Sequence, residues 1–465
     1  MTKLMFHGAA RRTTGSMHIL QHDGLTVSLD CGLYQGRRAE TRELNQTFPL
    51  PPKELDAVVL SHAHIDHSGR LPVLGRMGFD GPIYATPPTR DLCGIMLPDS
   101  AHIQEEDARF WNEKRAKEGE RIEPLYTLED VQAVLPQFQS VFYDSPFELS
   151  GDCRVSFIEA GHILGSAMVL LELNRNGHSR RVLFSGDAGR FGLPILRDPA
   201  EPLPECDYLI TECTYADRRH ENPIDMKDRL CRIIAETRDA GGKVIIPAFS
   251  VGRTQTIIYF IIQLFMEGRL AELPVYVDSP LSTHATEVFA RHPECYDREA
   301  LRTWGREGDL FGRSGPVRYI TAVEDSKALN HLDEPCVILS ASGMCEVGRI
   351  LHHLKNHVED ERNTVVIVGF MAQHTLGRRI VERREEIKIF GRMYRLLARV
   401  EILNGFSAHA DVDEFRRLYA PIAGKLRRAF VVHGEEKQPL AMQALLEELG
   451  CRDVAIPSPG DTFEI

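Results

Sequence analysis

The chain has 465 residues, of which 43% are hydrophobic and 26% charged, and it carries a net charge of −12. This length and composition indicate a globular protein with room for two compact units. The negative charge argues mildly against a nucleic-acid-binding protein, because phosphates are held by clustered Lys and Arg. However, Asp and Glu residues that bind metal also contribute to the negative charge, and the net charge of a protein says little about the electrostatic field inside a cleft.

The ten cysteines are scattered singly along the chain, without a CxxC pair. This pattern argues against a thiolate zinc knuckle and against a disulfide framework, and it favours a reducing compartment. No apolar run approaches the roughly 20 residues needed to span a bilayer, and the N-terminus lacks the apolar core of a signal peptide. We therefore expect a cytoplasmic protein that does not associate with a membrane.

The first part of the chain alternates short β-rich segments with turns. Several of these segments end on His, Asp or Glu, which is how a layered α/β protein places reactive side chains on one rim of its sheets. A polar, partly helical stretch at about 98–135 interrupts the series and is interpreted as a surface elaboration. The predicted strands are 24–30, 55–62, 81–86, 153–160, 167–174, 181–187 and 207–212.

The pattern changes at about residue 222, where helices begin to alternate with short apolar segments such as KVIIPAFS, LPVYVDSP, CVILSASG and TVVIVGF. Buried strands separated by helices predict a doubly wound parallel sheet, and hence a second α/β domain. From about residue 400 the chain returns to strand and helix units that end near Ile465.

The segment Ser61–His67, SHAHIDH, follows the apolar stretch AVVL. His62 and His64 lie two residues apart, so an extended backbone points both imidazoles to the same side. Asp66 and His67 follow where a helix can begin. Imidazole and carboxylate ligands together suit zinc or a similar metal. A coincidental surface histidine cluster is the alternative, and the preceding buried strand makes it the weaker interpretation.

Two later segments complete this pattern only when they are taken together. His162 in GHILGS and Asp187 in SGDAGR each follow a predicted strand, and either one alone would be interpreted as a capping or turn residue. Together with the cluster they have the order and spacing of a two-metal site, in which a carboxylate such as Asp187 can bridge two cations. Asp30, at the end of TVSLD, is expected to orient ligands through hydrogen bonds.

In this order, Asp30, the HxHxDH run, His162 and Asp187 resemble the motifs of the metallo-β-lactamase superfamily. The resemblance implies an α/β protein with a four-layer αβ/βα sandwich that binds two zinc ions. Manganese is the alternative metal, because the same ligand set accepts either. The resemblance assigns one metal to His62, His64 and His162 and the other to Asp66 and His67, with Asp187 bridging.

Three further segments narrow the resemblance to one branch: Glu212 lies in LITECTY, His409 in GFSAHAD and His433 in VVHGE. They resemble motifs A, B and C of the β-CASP nucleases, and KVIIPAFSVGRTQ, VYVDSPLS, ILSASGMCEVGR and TLGRR also look like segments of that family. The resemblance covers nearly the whole chain. It implies a metallo-β-lactamase domain in two parts, 1–212 and 401–465, around an inserted β-CASP domain at 213–400.

The resemblance also implies an activity, the hydrolysis of RNA phosphodiester bonds in RNA processing or decay. The enzyme would be an endonuclease, with 5'-to-3' exonuclease action as an addition. His409 is the expected general acid, oriented and kept charged by Glu212. Asp66 is counted with them as a catalytic metal ligand, and His433 would complete the shell of the second metal.

Small residues and arginines at predicted helix starts are candidates for holding the substrate. Backbone N–H groups at a helix start can receive phosphate, and an Arg can pair with it. Ordinary helix capping explains the same pattern equally well, and a solvated helix face explains a run of arginines. The expected substrate-binding residues are Ser250, Arg253, Ser279, Ser342, Arg349 and Arg378.

Two alternatives to a ribonuclease stay open. A DNA nuclease of the interstrand-crosslink repair branch is disfavoured by His433, and a catalytically silent RNA-binding scaffold is disfavoured because every ligand position is filled. The expected partner is single-stranded RNA, captured by the cleft of the two domains or by a homodimer. The sequence departs from the family pattern at Cys213, where a Ser is common, and at GFMAQH, before TLGRR.

Overall fold

A computed structural model describes residues 1–36, 38–114, 121–369, 371 and 374–465 of the chain. These residues form two compact units. The first comprises Met1–Phe191, Asp198–Arg219 and His409–Ile465, and the second comprises Gly192–Arg197 and His220–Ala408. The domain boundaries expected at 212/213 and 400/401 stay a prediction. Part of the GFMAQH segment lies outside the described residues.

The strands in chain order are β1 Thr2–Gly8, β2 Met17–His22, β3 Leu25–Leu29, β4 Ala57–Val59, β5 Ile83–Ala85, β6 Phe138–Ser140, β7 Phe147–Ser150, β8 Cys153–Glu159, β9 Ala167–Arg175, β10 His178–Phe184, β11 Tyr208–Thr211, β12 Val244–Pro247, β13 Val275–Asp278, β14 Val317–Ile320, β15 Val337–Ser340, β16 Thr364–Ile367, β17 Glu386–Ile389, β18 Arg392–Arg395, β19 Arg399–Ile402, β20 Arg428–Val431, β21 Val454–Ala455 and β22 Thr462–Glu464.

The α-helices in chain order are α1 Arg38–Gln46, α2 Ile65–Ser68, α3 Leu71–Arg76, α4 Pro87–Lys114, α5 Leu128–Val134, α6 Pro223–Asp239, α7 Arg253–Met266, α8 Pro280–Arg291, α9 Arg298–Glu307, α10 Val323–Leu329, α11 Ile350–His357, α12 Leu376–Val381, α13 Val412–Tyr419 and α14 Lys437–Glu448.

The first unit is built on two seven-stranded sheets, with strand orders β22-β1-β2-β3-β4-β5-β6 and β21-β20-β11-β10-β9-β8-β7. The two sheets share one core, in which Phe6 and Leu29 of the first sheet belong to the same cluster as Phe157 and Phe430 of the second. Helix α4 contacts β6 of the first sheet, and α14 contacts β20 and β21 of the second. The predicted αβ/βα sandwich is confirmed.

The second unit contains a six-stranded parallel sheet, with strand order β14-β13-β15-β12-β16-β19. Every residue of β12, β13, β15 and β16 is buried, as expected for parallel strands covered by helices. Strands β17 and β18 form a separate antiparallel hairpin. The predicted parallel sheet of the second domain is therefore confirmed.

The strands expected in the first part of the sequence are confirmed as β3, β4, β5, β8, β9, β10 and β11. The prediction missed β1, β2, β6 and β7. Strand β2 places the polar His18 and His22 at buried positions, so it lacks the apolar alternation that marks a half-buried strand. Within the stretch expected at 98–135, the described residues include the second part of the 28-residue helix α4 and the helix α5. Residues 115–120 of this stretch lie outside the described residues.

All ten cysteines are free thiols, and nine of them are buried. Among the described residues, we find no helix with the length and apolar character that a membrane crossing requires.

Candidate metal centre and active site

The residues that the sequence predicts to bind metal meet within the first unit. His62 and His64 follow β4, His162 lies between β8 and β9, Asp187 follows β10, and His433 follows β20. Helix α2 carries Asp66 and His67 directly after the two histidines. Their donor atoms form two groups, His62 with His64, His162 and Asp187, and Asp66 with His67 and His433.

The first group has the dimensions of a metal coordination shell. His64 Nδ1 lies 3.1 Å from His62 Nε2 and 3.3 Å from His162 Nε2. Asp187 Oδ2 lies 3.4 Å from His62 Nε2 and 3.5 Å from His162 Nε2. Ligand atoms bound at 2.0–2.1 Å around a tetrahedral zinc lie about 3.3–3.4 Å apart. The four donors therefore fit one cation. Hydrogen bonding alone explains the arrangement less well, because one proton on His64 Nδ1 can be donated to only one of the two neighbouring nitrogens.

The second group is built in the same way. His67 Nε2 lies 3.2 Å from His433 Nε2 and 3.2 Å from Asp187 Oδ1. His433 Nε2 lies 3.5 Å from Asp66 Oδ2 and 3.7 Å from Asp187 Oδ1. Two imidazoles and two carboxylates again face a common point.

Asp187 belongs to both groups, with Oδ2 towards the first and Oδ1 towards the second. Asp187 Oδ1 is buried and accepts no hydrogen bond from the described residues. An unpaired buried carboxylate oxygen is costly, and a divalent cation would compensate it. The residues present therefore fit a divalent metal on each side of Asp187.

The charge states of the ligands also suit metal binding. Burial lowers the pKa of His64 to about 3 and lowers the pKa of His62 and His162 as well, so these rings are neutral, the form that binds metal. Burial opposes protonation of His67 too, but Asp187 and Asp30 outweigh it and raise its pKa. That ring must release its proton when a cation binds.

Polar side chains around the ligands fix their orientation. His67 Nδ1 lies 2.7 Å from Asp30 Oδ2, and the Ser61 hydroxyl lies 3.0 Å from His62 Nδ1 and donates to Asp30. Thr214 Oγ1 lies 3.1 Å from His433 Nδ1. Hydrogen bonds to the nitrogen opposite the metal set the tautomer and the ring direction. The structure thus places Asp30 where the sequence expected a supporting carboxylate.

Two residues of the centre have an unusual backbone conformation. Asp30 has φ +61° and His433 has φ +55°, values that are uncommon for residues other than glycine and that Asn, Asp and His adopt more readily than most. Such conformations cluster at functional sites, where the surroundings hold them. The His433 N–H donates to the Ala9 carbonyl at 2.6 Å, and the Asp30 N–H donates to the Val59 carbonyl at 3.1 Å.

His409 and Glu212 form a pair beside the metal-binding residues. His409 Nδ1 lies 3.0 Å from Glu212 Oε1 and 4.0 Å from Asp187 Oδ2, and the His409 side chain is 20% exposed. Glu212 is itself held by two backbone donors, Ala188 N–H at 2.8 Å and Thr214 N–H at 3.1 Å. Burial disfavours the charged imidazole, but Glu212 and Asp187 outweigh it and raise the pKa of His409 to about 9.

Cys213, the departure from the family pattern, is fully buried. Its thiol donates to the Val432 carbonyl at 3.1 Å, and burial raises its pKa. The side chain therefore connects the chain segment after β11 to the segment after β20, and it is not ionised at neutral pH.

The expected substrate-binding residues lie in the second unit, after the carboxyl ends of its parallel strands. Ser279 accepts from the Ser282 N–H at 3.1 Å and so caps α8, while the Ser342 hydroxyl accepts from Glu346 N–H at 3.4 Å. Ser250 follows β12, and its carbonyl accepts from Gln255 at 3.1 Å. Ligands of α/β sheets bind at this edge.

The three expected arginines have protein partners. Arg349 Nη1 lies 2.7 Å from the buried Asp278, and Arg349 also donates to the carbonyls of Ile320 and Thr321. Arg378 pairs with Glu382 at 2.9 Å, and Arg253, the first residue of α7, lies 6.0 Å from the Phe406 ring centroid. Their role with substrate stays a prediction.

Sequence reasoning missed the residues that support the ligands. Ser61 directly precedes His62 in SHAHIDH, and Thr214 lies two residues after Glu212 in LITECTY, so their positions inside these motifs were an available signal. Ser16 donates to Asp30 Oδ2 at 3.2 Å, and its N–H donates to the Asp66 carbonyl at 2.8 Å. No motif marks Ser16, which is near these residues only in the folded chain.

Comparisons with known proteins agree with this geometry. Residues 19–181 match the metallo-beta-lactamase superfamily domain, 254–380 the Beta-Casp domain, and 393–457 the Zn-dependent metallo-hydrolase RNA specificity domain. Ribonuclease TTHA0252 of Thermus thermophilus is 38% identical over 440 residues, which are 94% of each chain. Transcription termination factor FttA of Methanosarcina mazei is 31% identical over 92% of this chain and 66% of its own length.

A solved structure shows the fold alone. A protein of unknown function from Enterococcus faecalis V583 superposes with a TM-score of 0.57 over 99% of both chains, at 13% sequence identity. The matches to the three domain families and the relative at 38% identity extend over nearly the whole chain. The resemblance found in the sequence is therefore confirmed: the chain belongs to the β-CASP family of the metallo-β-lactamase superfamily and is a metal-dependent hydrolase.

Proposed function

We propose that this chain is a ribonuclease that holds two zinc ions and hydrolyses phosphodiester bonds inside single-stranded RNA. The observation that carries the proposal is the division of Asp187 between two donor groups, with one carboxylate oxygen facing each. Manganese is the alternative metal, because imidazole and carboxylate ligands accept it as well.

The metals would be held by His62, His64 and His162 on one side of Asp187 and by Asp66, His67 and His433 on the other. When bound, divalent cations would polarise the phosphate as Lewis acids and lower the pKa of water, so that hydroxide is available to attack at neutral pH. Asp30, Ser61 and Thr214 keep the ligand rings in the tautomer and direction that this needs.

His409 is the group that delivers a proton to the leaving ribose oxygen. Its Nδ1 is directed at Glu212, so Nε2 is the nitrogen that can face the substrate. The pKa of about 9 keeps the imidazole protonated at neutral pH, as a general acid requires. Glu212 is held by two backbone N–H groups, which fixes the direction of the His409 ring.

RNA is the substrate that the comparisons favour. The similar Thermus thermophilus protein is named a ribonuclease. The segment matched to the RNA specificity domain, 393–457, includes both His409 and His433. At the carboxyl edge of the sheet in the second unit, helix starts and arginines could receive phosphates. The residues proposed to bind the RNA backbone there are Ser250, Arg253, Ser279, Ser342, Arg349 and Arg378.

The cysteines are free and mostly buried, which suits a reducing compartment. We therefore propose that the enzyme acts in the cytoplasm. A homodimer stays a prediction, which light scattering on the purified chain would test.

The decisive experiment measures the cleavage of a 5'-labelled single-stranded RNA by the purified, zinc-loaded chain. We expect the chain to cleave this RNA and EDTA to abolish the cleavage. Asp187→Ala should abolish cleavage and also lower the metal content, which mass spectrometry measures. The matched control is Asp80→Ala, because Asp80 is exposed and outside the centre. Internal product lengths would identify an endonuclease, and stepwise shortening from the labelled end an exonuclease.

The same assay separates the alternatives. A matched single-stranded DNA that is cut faster than RNA would favour the crosslink-repair type of nuclease. A chain that holds two metals per molecule and cuts neither polymer would contradict the proposal and favour an RNA-binding scaffold.

A further inference from the structure

The hairpin β17–β18 is anchored at its base and exposed at its tip. Ile387 and Ile389 are 1% exposed and belong to the core cluster of the second unit, and Tyr394 packs against the same cluster. Ile387 faces Tyr394 across the hairpin, and Lys388 faces Met393. One face of the hairpin is therefore fixed to the core, while Lys388 and Met393 lie on the outer face.

A large aromatic residue occupies the turn of this hairpin. Phe390 has φ +48°, followed by Gly391 with φ +82°, which are the left-handed conformations of a two-residue hairpin turn. Asn or Asp normally stands at the position of Phe390, because a bulky residue is strained there. The side chain is nevertheless 54% exposed, so more than half of this apolar surface is open to solvent.

The Phe390 ring lies next to the ring of His352 in α11, with 4.7 Å between the ring centroids and an interplanar angle of 44°. His352 is exposed as well. Burial and the positive charge of Lys355 lower the pKa of His352, so the neighbouring ring is neutral. Two exposed neutral rings side by side form a surface on which a nucleobase can stack.

The chain around this tip is strongly basic, in contrast to the net charge of −12 for the whole protein. Residues 378–399 contain eight Arg or Lys and three Glu, a net charge of +5. Several of these cations are paired, such as Arg378 with Glu382 and Arg399 with Glu236. Lys388, Arg392 and Arg395 are exposed, and no side-chain ion pair or hydrogen bond holds them within the described ranges.

We infer that this hairpin tip is a contact surface for single-stranded RNA, with Phe390 and His352 stacking on a base and Lys388 and Arg392 contacting phosphates. Proteins bind single-stranded nucleic acid without sequence preference by stacking bases on aromatic rings and by contacting phosphates with Lys and Arg. The hairpin tip has both kinds of group. The inference rests on the proposed function, because it assumes that RNA is the substrate. Glu386, opposite Arg395 in the hairpin, is the acidic residue closest to this surface along the two strands.

The test uses the zinc-loaded chain with His409→Ala to slow cleavage, and a fluorescein-labelled single-stranded RNA. Phe390→Asn is the informative substitution, because Asn suits the left-handed turn better than Phe and so preserves the hairpin. We expect RNA affinity to fall roughly 5- to 100-fold, the range for loss of one stacked base, without a lower Tm. Phe390→Trp should keep the affinity.

A second measurement tests the cations. Lys388→Gln with Arg392→Gln should lower the slope of log Kd against log salt by about 1.4, since each phosphate contact to a single strand contributes about 0.7. The matched controls are Phe142→Asn, where the ring is 62% exposed, and Arg302→Gln with Arg306→Gln on the exposed face of α9. Neither control should change affinity or slope.

The outcomes distinguish this inference from the proposed function. In the chain with His409 intact, the hairpin variants should hydrolyse bis(4-nitrophenyl) phosphate at the unaltered rate, because they do not touch the metal centre. If RNA binds the parent chain but Phe390→Asn and the double variant bind it equally well, the hairpin inference is wrong and the ribonuclease stands. If the parent chain neither binds nor cuts RNA, both are wrong.

Discussion

Asp30 and His67 form a carboxylate–imidazole pair in which Asp30 Oδ2 lies 2.7 Å from His67 Nδ1. This contact holds the proton of the neutral ring on Nδ1 and turns Nε2 towards Asp187 and His433. Asp30 Oδ1 accepts the Ser61 N–H at 2.8 Å. Asp30 therefore connects the loop that carries His62 and His64 to His67 of the second donor group.

Asp30→Asn should weaken metal binding about 10- to 100-fold. The amide oxygen can still accept the Ser61 N–H, so the NH₂ group replaces Oδ2 and donates to His67 Nδ1. The ring proton then moves to Nε2, where it blocks the metal. Chelator competition with a zinc indicator measures the affinity, with Asp80→Asn as the matched control. An unchanged affinity would show that Asp30 does not set the tautomer.

The pair of His409 and Glu212 predicts a pH dependence. His409 acts only when protonated, so activity is present below its pKa and falls as the pH rises through it. Glu212→Gln removes the main stabilising charge and should move this alkaline limb of kcat to lower pH by about 1–3 units. Glu148→Gln, on the exposed side of β7, is the matched control.

The same pair can be measured without turnover. In the metal-free chain, an NMR titration of His409 should give a pKa of about 9. Because this value is raised above that of the unfolded chain, the pair stabilises the fold fully below about pH 6.5. The stabilisation is lost as the pH rises towards 9. A titration near the ordinary histidine value in both the parent chain and Glu212→Gln would contradict the role given to Glu212.

The residues of the two donor groups could be predicted because most of them lie close together in the sequence. His62, His64, Asp66 and His67 lie within six residues, and His162, Asp187 and His433 each follow a strand that hydrophobic patterning detects. The supporting contacts could not be predicted in this way. Thr214 and His433 are 219 residues apart along the chain, and only the pairing of β11 with β20 brings them together.

The backbone conformations were also beyond sequence reasoning. Nothing in VVHGE shows that His433 has a positive φ, because this conformation depends on the Ala9 carbonyl that holds its N–H. The partly helical stretch expected from about residue 98 begins earlier, because α4 starts at Pro87. Pro98 lies inside the helix, whereas a proline usually marks a helix start or end.

Gly32 allows the chain to approach the metal-binding loop closely. A Cβ at this position would lie 1.6 Å from the Asp66 carbonyl oxygen, far inside van der Waals contact. Gly32→Ala should therefore displace the segment that carries Asp66 and His67 and lower both metal content and Tm. Gly94→Ala in α4 is the control, because nothing lies within 4 Å of the added methyl. That change should stabilise the helix by about 0.5–1 kcal/mol.

Calorimetry with metal analysis measures both effects. Retention of two metals and an unchanged Tm in Gly32→Ala would mean that the loop moves aside without consequence.

Arg70 predicts a loss of stability that does not involve the ligands directly. Its side chain is fully buried, and it donates to the carbonyls of Gly32 at 2.6 Å and of Leu44 and Thr47 at 3.0 Å each. The guanidinium lies between the rings of Tyr34 and Phe48, 5.0 and 4.9 Å from their centroids. No carboxylate pairs with Arg70 in the part of the chain that the structure describes.

Arg70→Lys should lower the free energy of unfolding of the first unit by about 2–4 kcal/mol, because buried carbonyls lose their donors. An ammonium cannot reproduce the planar fork or the stacking between two rings. Arg76→Lys is the matched control, since Arg76 is 41% exposed and its pair with Asp130 at 3.5 Å should contribute less than about 1 kcal/mol. Urea unfolding of the metal-free chain gives both values. Equal stability of the two variants would show that the introduced ammonium reaches the same carbonyls, and that the shape of the guanidinium is not required.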